Sequence, residues 1–306
     1  QAAAKCTDGI AKALDRLNPD LVLLTVDRVE TLAIASACAL MNVPIAHVQG
    51  GEVTGTIDES IRHAVTKLSH YHFVSTELSK KRIIQMGENK KNVYNVGCPY
   101  TDILENIKKN KKKSKEFLKI TNKKDKYIIF IMHSVTTNIS EIKTNLKNII
   151  NVINKLSEEY YIFSFLPNTD PGCNFIINNL KKNKKIKIIN NLHSNLFLEL
   201  MKYSDFMIGN SSSGIREAPT FKVPYICIGS RQNGRERSIN VIDVNYDYDE
   251  IMSKVNFIKN NKKFKQKLKR CTNVYGKGNV AKKMYKFLVD IKLSSKVLDK
   301  KFEIIK

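Results

Sequence analysis

Short, uninterrupted apolar runs recur along this chain and alternate with helical segments. The clearest runs are NPDLVLLTV (18–26), YIIFIM (127–132) and VPYICIG (223–229). Runs of this length without polar alternation are typical of strands that are buried on both faces of a parallel sheet. Amphipathic segments such as IDESIRHAVTKLSH (57–70) and EIKTNLKNIINVINKL (141–156) separate them. The alternation therefore predicts an α/β fold.

The alternation occurs twice, on either side of a polar, lysine-rich stretch from about residue 104 to residue 126. We therefore predict two doubly wound, Rossmann-like domains facing a cleft. The predicted N-terminal α/β domain covers residues 1–105 and the predicted C-terminal one covers 106–278. The last helical segment, 279–306, is expected to pack back toward the N-terminal domain. Because ligands bind at the carboxyl ends of strands in such folds, we expect a site in the cleft.

Composition excludes several classes of protein. The chain has 306 residues, which is enough for two cores, and no apolar run approaches the ~20 residues of a membrane span. We expect no secretory signal before the first helix. The six cysteines are scattered and none has zinc-like spacing. We expect reduced thiols, a cytoplasmic location, no metal and no membrane partner.

The net charge of +23 raises the possibility of a nucleic-acid partner. The excess lies in runs rich in lysine and asparagine, such as KKNKKKSK (108–115) and KNNKKFKQKLKR (259–270). These runs lack the interleaved arginine and aromatic residues of nucleic-acid surfaces. They are better explained as solvated faces, so no nucleic-acid partner is predicted.

The segment GNSSSGIRE (209–217) follows an apolar strand and begins a helix. Backbone N–H groups at such a position bind phosphate well, and serine hydroxyls add donors. For an isolated turn of this kind, an ordinary serine N-cap is the more common explanation. Arg231 of the downstream GSRQNGRER favours the phosphate interpretation, because arginine pairs with phosphate through two hydrogen bonds. Glu217 cannot bind phosphate, but a carboxylate can accept the hydroxyls of a ribose.

The segment HVQGGEVTGTIDESIRHAV (47–65) combines a histidine, glycines and carboxylates at a strand–loop–helix transition. His47 and Gln49 alternate on the strand and are expected to point the same way. Asp58 and Glu59 lie at the start of a helix, where acids are also favoured for structural reasons. Arg62 follows Asp58 by one turn and could pair with it. The segment alone therefore leaves a catalytic loop and a structural motif both open.

Three segments together resemble the hydrolysing UDP-N-acetylglucosamine 2-epimerases. They are HVQGGEVTGTIDESIRHAVTKLSHYHFVST, GNSSSGIREAPTFKVP and GSRQNGRER, and the resemblance extends from about residue 10 to residue 292 in the same order. It implies a glycosyltransferase-B-like fold with UDP in the cleft, and an enzyme without a cofactor or metal. It also implies a UDP-sugar substrate and a homodimer or tetramer.

The resemblance implies anti elimination of UDP to a glycal, followed by rehydration, which converts UDP-N-acetylglucosamine to N-acetylmannosamine plus UDP for sialic acid synthesis. Such chemistry needs acid and base groups, and positive groups on the leaving diphosphate. The implied catalytic residues are Asp27, Gln49, Glu52, Asp58 and His133. The implied UDP-sugar-binding residues are Arg28, His47, Arg62, Asn168, Asp170, Ser211, Ser212, Glu217 and Arg231.

The sequence departs from the family in two respects. Gln49 stands where many members have a glutamate, and Gln cannot accept a proton. This leaves open a 2-epimerase for a UDP-2,4-diacetamido sugar of legionaminic acid synthesis, a non-hydrolysing epimerase, and a non-catalytic UDP-sugar-binding remnant. The family's N-terminal region, with its first strand, is absent before Gln1, so we expect the 306 residues alone to be poorly stable or inactive.

Overall fold

The computed structural model describes residues 1–25, 28–54, 57–110, 112–122, 126–135, 139–291, 293 and 297–304. The chain divides into two compact units. Unit 1 comprises Gln1–Asp102 and Tyr275–Lys306, and unit 2 comprises Ile103–Val274.

Unit 1 is built on a parallel sheet flanked by helices. Its elements are α1 (Ala2–Leu17), β1 (Val22–Thr25), α2 (Val29–Leu40), β2 (Ile45–Val48), α3 (Asp58–Leu68), β3 (Tyr71–Val74), α4 (Glu77–Gln85), a 3-10 helix (Lys90–Asn92), β4 (Val93–Asn95), the start of α5 (Tyr100–Lys109) and α14 (Val280–Asp290). The described strands pair in the order β1-β2-β3-β4, all in parallel.

The core of unit 1 depends on small residues. Ala35, Ala37 and Cys38 of α2 are buried, and their short side chains let this helix approach its neighbours closely. On β2 every side chain is buried, as expected for a strand inside a parallel sheet. Val280 and Met284 of α14 join the apolar cluster that contains Phe73 of β3. The last helix of the described chain thus packs within unit 1.

Unit 2 repeats the architecture with a larger sheet. Its elements are α6 (Lys115–Thr121), β5 (Tyr127–Ile131), α7 (Ile139–Leu156), β6 (Tyr161–Phe165), α8 (Cys173–Lys182), β7 (Lys187–Ile189), α9 (Ser194–Lys202), β8 (Met207–Gly209), α10 (Ser213–Arg216), α11 (Ala218–Phe221), β9 (Tyr225–Ile228), β10 (Val241–Val244), α12 (Tyr248–Asn260) and α13 (Lys262–Lys269). The described strands pair in the order β10-β9-β8-β5-β6-β7, all in parallel.

The strand order of unit 2 reverses between β5 and β8. From β5 the chain adds β6 and β7 on one side, and it then returns to add β8, β9 and β10 on the other. The loops that leave β5 and β8 diverge at this switch point, which is where doubly wound sheets bind ligands. Each unit is a Rossmann-like α/β domain with a parallel sheet. The predicted fold of two such domains is therefore confirmed.

The structure differs from the sequence prediction in two elements of unit 2. Strand β10 was not predicted, because its residues VIDV include a charged side chain and the strand lies at the edge of the sheet, where only Val244 is buried. The helix predicted over GIREAPTF is divided into α10 and α11 at Glu217. Within the described residues, no helix is long and apolar enough to cross a membrane.

Candidate functional site

His47 in unit 1 lies inside the sheet. It is fully buried on β2, and its Nδ1 is 3.3 Å from the hydroxyl of Thr66 on α3. A Cβ at Gly50 would lie 2.9 Å from this Nδ1 and 3.0 Å from Thr66 Oγ1. Glycine is therefore required at this position so that α3 can pack directly against the end of β2.

Gln49 follows β2 in a left-handed conformation, with φ 68°. Its backbone N–H donates to the carbonyl of Phe73 at 2.8 Å, and its Nε2 donates to Cys98 Sγ at 3.1 Å. The strand ends at Val48, so the expectation that Gln49 continues the strand alternation of His47 is wrong. The carboxamide is instead oriented by Cys98.

The loop after β2 is held by two arginines. Arg62 is buried on α3 and donates from Nη1 to the backbone carbonyl of Glu52 at 2.7 Å. Arg82 of α4 donates to the carbonyl of Gly51 at 3.2 Å. Glu59 accepts the backbone N–H of Thr54 at 2.6 Å. The Glu52 side chain is also buried, and it belongs to a loop whose backbone is held by these three hydrogen bonds.

Two further predicted residues of unit 1 lie near element ends. Asp58 is the first residue of α3, as predicted, and is partly buried. Arg28 precedes α2, is 76% exposed and forms an ion pair with Glu30 at 3.4 Å. The exposed position of Arg28 contrasts with the burial of Arg62. Asp27 lies outside the described residues.

His133 in unit 2 follows β5 and is almost completely buried. The backbone N–H of Asn168 donates to its Nδ1 at 3.1 Å. A nitrogen that accepts a hydrogen bond carries no proton, so the neutral ring has its proton on Nε2. Burial, together with the charge of Arg231, lowers the pKa of His133 to about 3. The ring is therefore neutral at pH 7 and offers an N–H donor.

Asn210 connects His133 to the arginine-rich segment GSRQNGRER, residues 229–237. Its Oδ1 accepts the backbone N–H of His133 at 2.7 Å, and its Nδ2 donates to the carbonyl of His133 at 2.8 Å. The backbone carbonyl of Asn210 accepts Nε2 of Gln232 at 2.9 Å and Nη1 of Arg231 at 3.4 Å. Neither Asn210 nor Gln232 was a predicted site residue. Their places inside GNSSSG and GSRQNGRER were the available signal.

The serine-rich segment is GNSSSGIRE, residues 209–217. Two of its positions must be glycine because of the way the segment packs within unit 2. A Cβ on Gly209 would lie 1.9 Å from the carbonyl oxygen of Ile131, and one on Gly214 would overlap the ring of Tyr225 at 2.3 Å. The Tyr225 hydroxyl lies 2.9 Å from the carbonyls of both Gly209 and Ser211. These glycines are therefore required by the packing of the segment itself.

The hydroxyls of the serine-rich segment are partly engaged with each other. Ser211 Oγ lies 2.9 Å from Ser213 Oγ and accepts the backbone N–H of Ser213 at 3.3 Å. Ser212 accepts the N–H groups of Ile215 and Arg216 through its carbonyl. The Ser212 hydroxyl makes no cap bond to α10 in the described structure, so the simple N-cap explanation fails at this residue.

Glu217 joins α10 and α11. Its Oε2 is buried and has no hydrogen-bond partner among the described residues. Burial raises the pKa of Glu217 to about 7, although Arg216 and Arg235 act in the opposite direction. An acceptor oxygen without a partner costs free energy unless a ligand or water supplies a donor. Glu217 therefore has the properties of a ligand acceptor.

The remaining predicted residues of unit 2 lie after β6. Asn168 has an exposed side chain and reaches His133 through its backbone N–H. The carbonyl of Asp170 accepts the N–H of Cys173 at the start of α8. The structure thus brings together His133, Asn168, Arg231 and the serine-rich segment through Asn210. No group of three His, Cys, Asp or Glu side chains in the described part of the chain could hold a metal ion.

The sequence profile of the UDP-N-acetylglucosamine 2-epimerase family matches residues 1–289. The chain belongs to this family. The resemblance of the three quoted segments is confirmed, and the coarse function it supports is that of a UDP-sugar 2-epimerase.

Three curated relatives are 34% to 41% identical to this chain. The UDP-N,N'-diacetylbacillosamine 2-epimerase (hydrolyzing) of Legionella pneumophila is 38% identical, over 95% of this chain and 76% of that protein. The GDP/UDP-N,N'-diacetylbacillosamine 2-epimerase (hydrolyzing) of Campylobacter jejuni is 41% identical, over 83% of this chain and 67% of that protein. The UDP-N-acetylglucosamine 2-epimerase of Neisseria meningitidis is 34% identical, over 80% and 65%.

Solved structures show the same fold. The UDP-GlcNAc 2-epimerase from Neisseria meningitidis bound to UDP-GlcNAc matches with a TM-score of 0.82, covering 94% of this chain and 81% of that one at 21% identity. The Methanocaldococcus jannaschii UDP-GlcNAc 2-epimerase in complex with UDP-GlcNAc and UDP matches with a TM-score of 0.78, covering 94% and 80% at 24% identity. The predicted glycosyltransferase-B-like fold class is thereby confirmed.

Proposed function

We propose that this epimerase is of the hydrolysing kind and acts on a UDP-2-acetamido sugar. The C2–H bond and the C1–O bond to UDP break in an anti elimination, and a C1=C2 double bond forms. Water then adds, with a proton to C2 on the opposite face and hydroxyl to C1. The products are the free 2-epimeric sugar and UDP. The printed names of the relatives at 38% and 41% identity, both hydrolyzing, support this reaction.

The observation that carries the proposal is the neutral state of His133, whose Nδ1 accepts a hydrogen bond and whose proton is therefore on Nε2. Elimination of UDP develops negative charge on the diphosphate, and a neutral imidazole with Nε2–H can donate a hydrogen bond to it. Arg231 adds a fixed positive charge in the same cluster. The low pKa of His133 keeps the ring neutral over the working pH range, so it acts as a hydrogen-bond donor rather than as a cation.

The carboxylates of unit 1 are proposed to move the C2 proton. Glu52 and Asp58 are the described candidates, and Asp27 is assigned with them from the resemblance. Arg62 holds the Glu52 backbone, which limits the positions that this carboxylate can take. Gln49 cannot exchange a proton, and we assign it the orientation of the sugar through its carboxamide. His47 supports the loop from inside the sheet, and Arg28 contributes positive charge.

UDP recognition is assigned to unit 2. Ser211 and Ser212 supply hydroxyls, Arg231 pairs with phosphate, and Glu217 accepts hydroxyls of the ribose. The acceptor Oε2 of Glu217, which has no partner among the described residues, supports this assignment. Asn168 and Asp170 are proposed to line the same site from the loop after β6.

The substrate we propose is UDP-N,N'-diacetylbacillosamine, because the relatives at 38% and 41% identity carry that name. UDP-N-acetylglucosamine is the second candidate, since the relative that carries that name is 34% identical. Only the former assignment calls for a pocket that accepts a 4-acetamido group. A role in sialic acid synthesis stays a prediction attached to the second candidate.

A proton NMR time course in D2O tests both substrates side by side. Release of UDP together with a free sugar that carries deuterium at C2 is the expected result, and the faster substrate is the assigned one. His133→Gln is expected to retain UDP binding and to lose most turnover. Appearance of an epimeric UDP-sugar without UDP release would overturn the hydrolysing assignment. Binding of UDP without turnover of either sugar would identify a binding remnant instead.

We further propose a cytoplasmic enzyme that forms a homodimer or tetramer. The six cysteines are free in the structure, in keeping with a reducing compartment. Light scattering on the protein as it elutes from a size-exclusion column gives the number of subunits. A monomeric mass would refute the oligomer.

A further inference from the structure

Asn210 lies immediately beyond β8, beside the residues that leave β5. The two strands pair in parallel up to Ile131 and Gly209, and the backbone N–H of Asn210 still donates to the carbonyl of Ile131 at 3.0 Å. Beyond this point the carboxamide continues the pairing. It contacts the N–H of His133 at 2.7 Å and the carbonyl of His133 at 2.8 Å. One side chain thus binds both backbone polar groups of the histidine.

The position of the His133 ring depends on this backbone clamp. The ring has a single described hydrogen bond at Nδ1, from the backbone of Asn168 on the neighbouring loop. That bond forms only if the Cα–Cβ direction at His133 brings Nδ1 to the donor. Asn210 and His133 are both buried, so water cannot easily replace the clamp. The carbonyl of Asn210 at the same time receives Gln232 and Arg231.

We propose that Asn210 is the positioning residue of His133, and that its carboxamide keeps the imidazole on Asn168 with the Nε2 proton directed to the ligand. The functional part rests on the proposed function, because His133 matters to turnover only if it assists departure of UDP. The clamp itself is a property of the structure and can be tested without substrate. Through its backbone carbonyl, Asn210 also sets the place of Arg231 relative to the histidine.

Asn240 provides a matched comparison. It is also fully buried in unit 2, and its Nδ2 donates to the carbonyls of Gly214 and Val223 at 3.1 and 3.0 Å. Its carboxamide therefore makes two hydrogen bonds to backbone, as that of Asn210 does, but not to His133. Loss of either carboxamide is expected to destabilise the fold similarly. Only loss of the Asn210 carboxamide is expected to change the behaviour of His133.

The first arm of the test measures the titration of His133 by NMR in the wild type, Asn210→Leu, Asn210→Ala and Asn240→Leu. The His133 signals are identified by their absence in His133→Gln. We expect the ring to stay neutral through pH 5 in the wild type and in Asn240→Leu, because its pKa is lowered to about 3. In both Asn210 variants the pKa is expected to rise by more than about one unit, as for a ring that has left its buried hydrogen bond.

The second arm compares kcat with the Kd for UDP in the same proteins. We expect kcat of the Asn210 variants to fall on the order of 10- to 100-fold through misplacement of His133, and the Kd for UDP to change by a smaller factor. Asn210→Ala is neutral and smaller than Asn210→Leu, so it decides the question if Asn210→Leu does not fold. A His133 titration unchanged in the Asn210 variants would overturn the proposal. Failure of the wild type to turn over either UDP-sugar would instead overturn the proposed function, and the NMR arm would still decide the clamp.

Discussion

In unit 2, burial shifts the pKa values of Glu217 and His133 in opposite directions. It raises the pKa of Glu217 to about 7 and lowers that of His133 to about 3, because in both cases it disfavours the charged form. Near pH 7 the histidine is neutral and the glutamate is close to half ionised. The sequence shows the two residue types but cannot show either pKa, since burial depends on the packing of the whole unit.

Replacement of Glu217 by Gln is expected to change how stability depends on pH. The folded-state pKa of about 7 lies above the ordinary value of 4.5, so folding favours the protonated form. The contribution of Glu217 to the free energy of unfolding of the wild type therefore falls as pH rises from 4.5 to 7, and then levels off. Glu217→Gln lacks this loss and should gain stability relative to the wild type as pH rises. Urea melts at pH 4.5 and pH 8 measure the difference.

Glu158→Gln is a suitable control, because Glu158 is 58% exposed and pairs with Lys155 on the surface. Its effect on stability should be small at both pH values. A Glu217→Gln protein whose stability relative to the wild type is the same at both pH values would contradict the raised pKa.

Cys98 is a second residue whose contribution depends on a specific contact. Its sulfur accepts Nε2 of Gln49, and Gln49 itself is held in a left-handed conformation. We expect Cys98→Ser to remain near wild-type activity, because the hydroxyl can still accept this hydrogen bond. Cys98→Ala should lower kcat by several fold, on the order of the ~1 kcal/mol that a buried hydrogen bond contributes. Steady-state kinetics with both variants measure this, and equal activities would show that the orientation of Gln49 does not matter.

At the scale of elements, the sequence predicts the buried strands more reliably than the segments around the site. β5 and β9 are apolar runs with no competing pattern, and the structure confirms both. β10 was missed because its short VIDV sequence contains a charged residue and only Val244 is buried. The division of the helix at Glu217 was missed because it depends on tertiary packing. Hydrogen bonds that use backbone groups, such as that from Asn168 to His133, leave no mark in side-chain identity.

Residues 297–304 of unit 1 were predicted as part of the helical segment 279–306, but α14 ends at Asp290 and these residues lie outside it. The C-terminal strap, residues 297–304, is fixed to the end of α3 by Lys300, which donates to the carbonyls of Thr66, Lys67 and Ser69 at 3.2, 2.5 and 2.6 Å. Lys300 also pairs with the buried carboxylate of Glu88 at 2.8 Å. The strap thus supplies donors to helix-end carbonyls that would otherwise need water.

Lys300→Met is expected to destabilise unit 1 by about 2 kcal/mol. The substitution leaves the Glu88 carboxylate, which is 2% exposed, with Lys67 and His72 but without its third partner. Removal of one partner from a buried charge costs several kcal/mol at most, and the remaining partners reduce this cost. Lys301→Met is the matched control, because Lys301 is 80% exposed and pairs weakly with Asp299. Denaturant melts that give the two variants equal stability would refute the role of the strap.

At the scale of the whole molecule, the strand order was not predictable from the sequence alone. The two series of strands and helices predict parallel sheets, yet several orders satisfy that pattern. In unit 2 the order places β5 next to β8, and this single adjacency brings His133 beside Asn210 although the two are far apart in sequence. The polar clusters were therefore visible as separate candidates, while the hydrogen bonds that join them were not.

The net charge of +23 belongs to the whole molecule and makes a distinct prediction about binding. Several lysines have acidic partners within the structure, such as Lys126 and Lys259, which share the carboxylate of Glu159. The remaining positive charge should attract any polyanion without sequence preference. Binding of a DNA oligonucleotide is then expected to weaken about 10³-fold or more between roughly 50 and 200 mM salt, because each phosphate contact releases counterions.

UDP carries far fewer charges, and its proposed recognition through Arg231, Glu217 and the serine hydroxyls would use directed hydrogen bonds. Its affinity should fall by less than about tenfold over the same salt range. Titration of both ligands at the two salt concentrations separates the proposed nucleotide-sugar site from a nucleic-acid surface. Oligonucleotide binding that persists at 200 mM salt and displaces UDP would place nucleic acid at the site itself. Retention of UDP binding alone would assign the lysine-rich charge to the solvated surface.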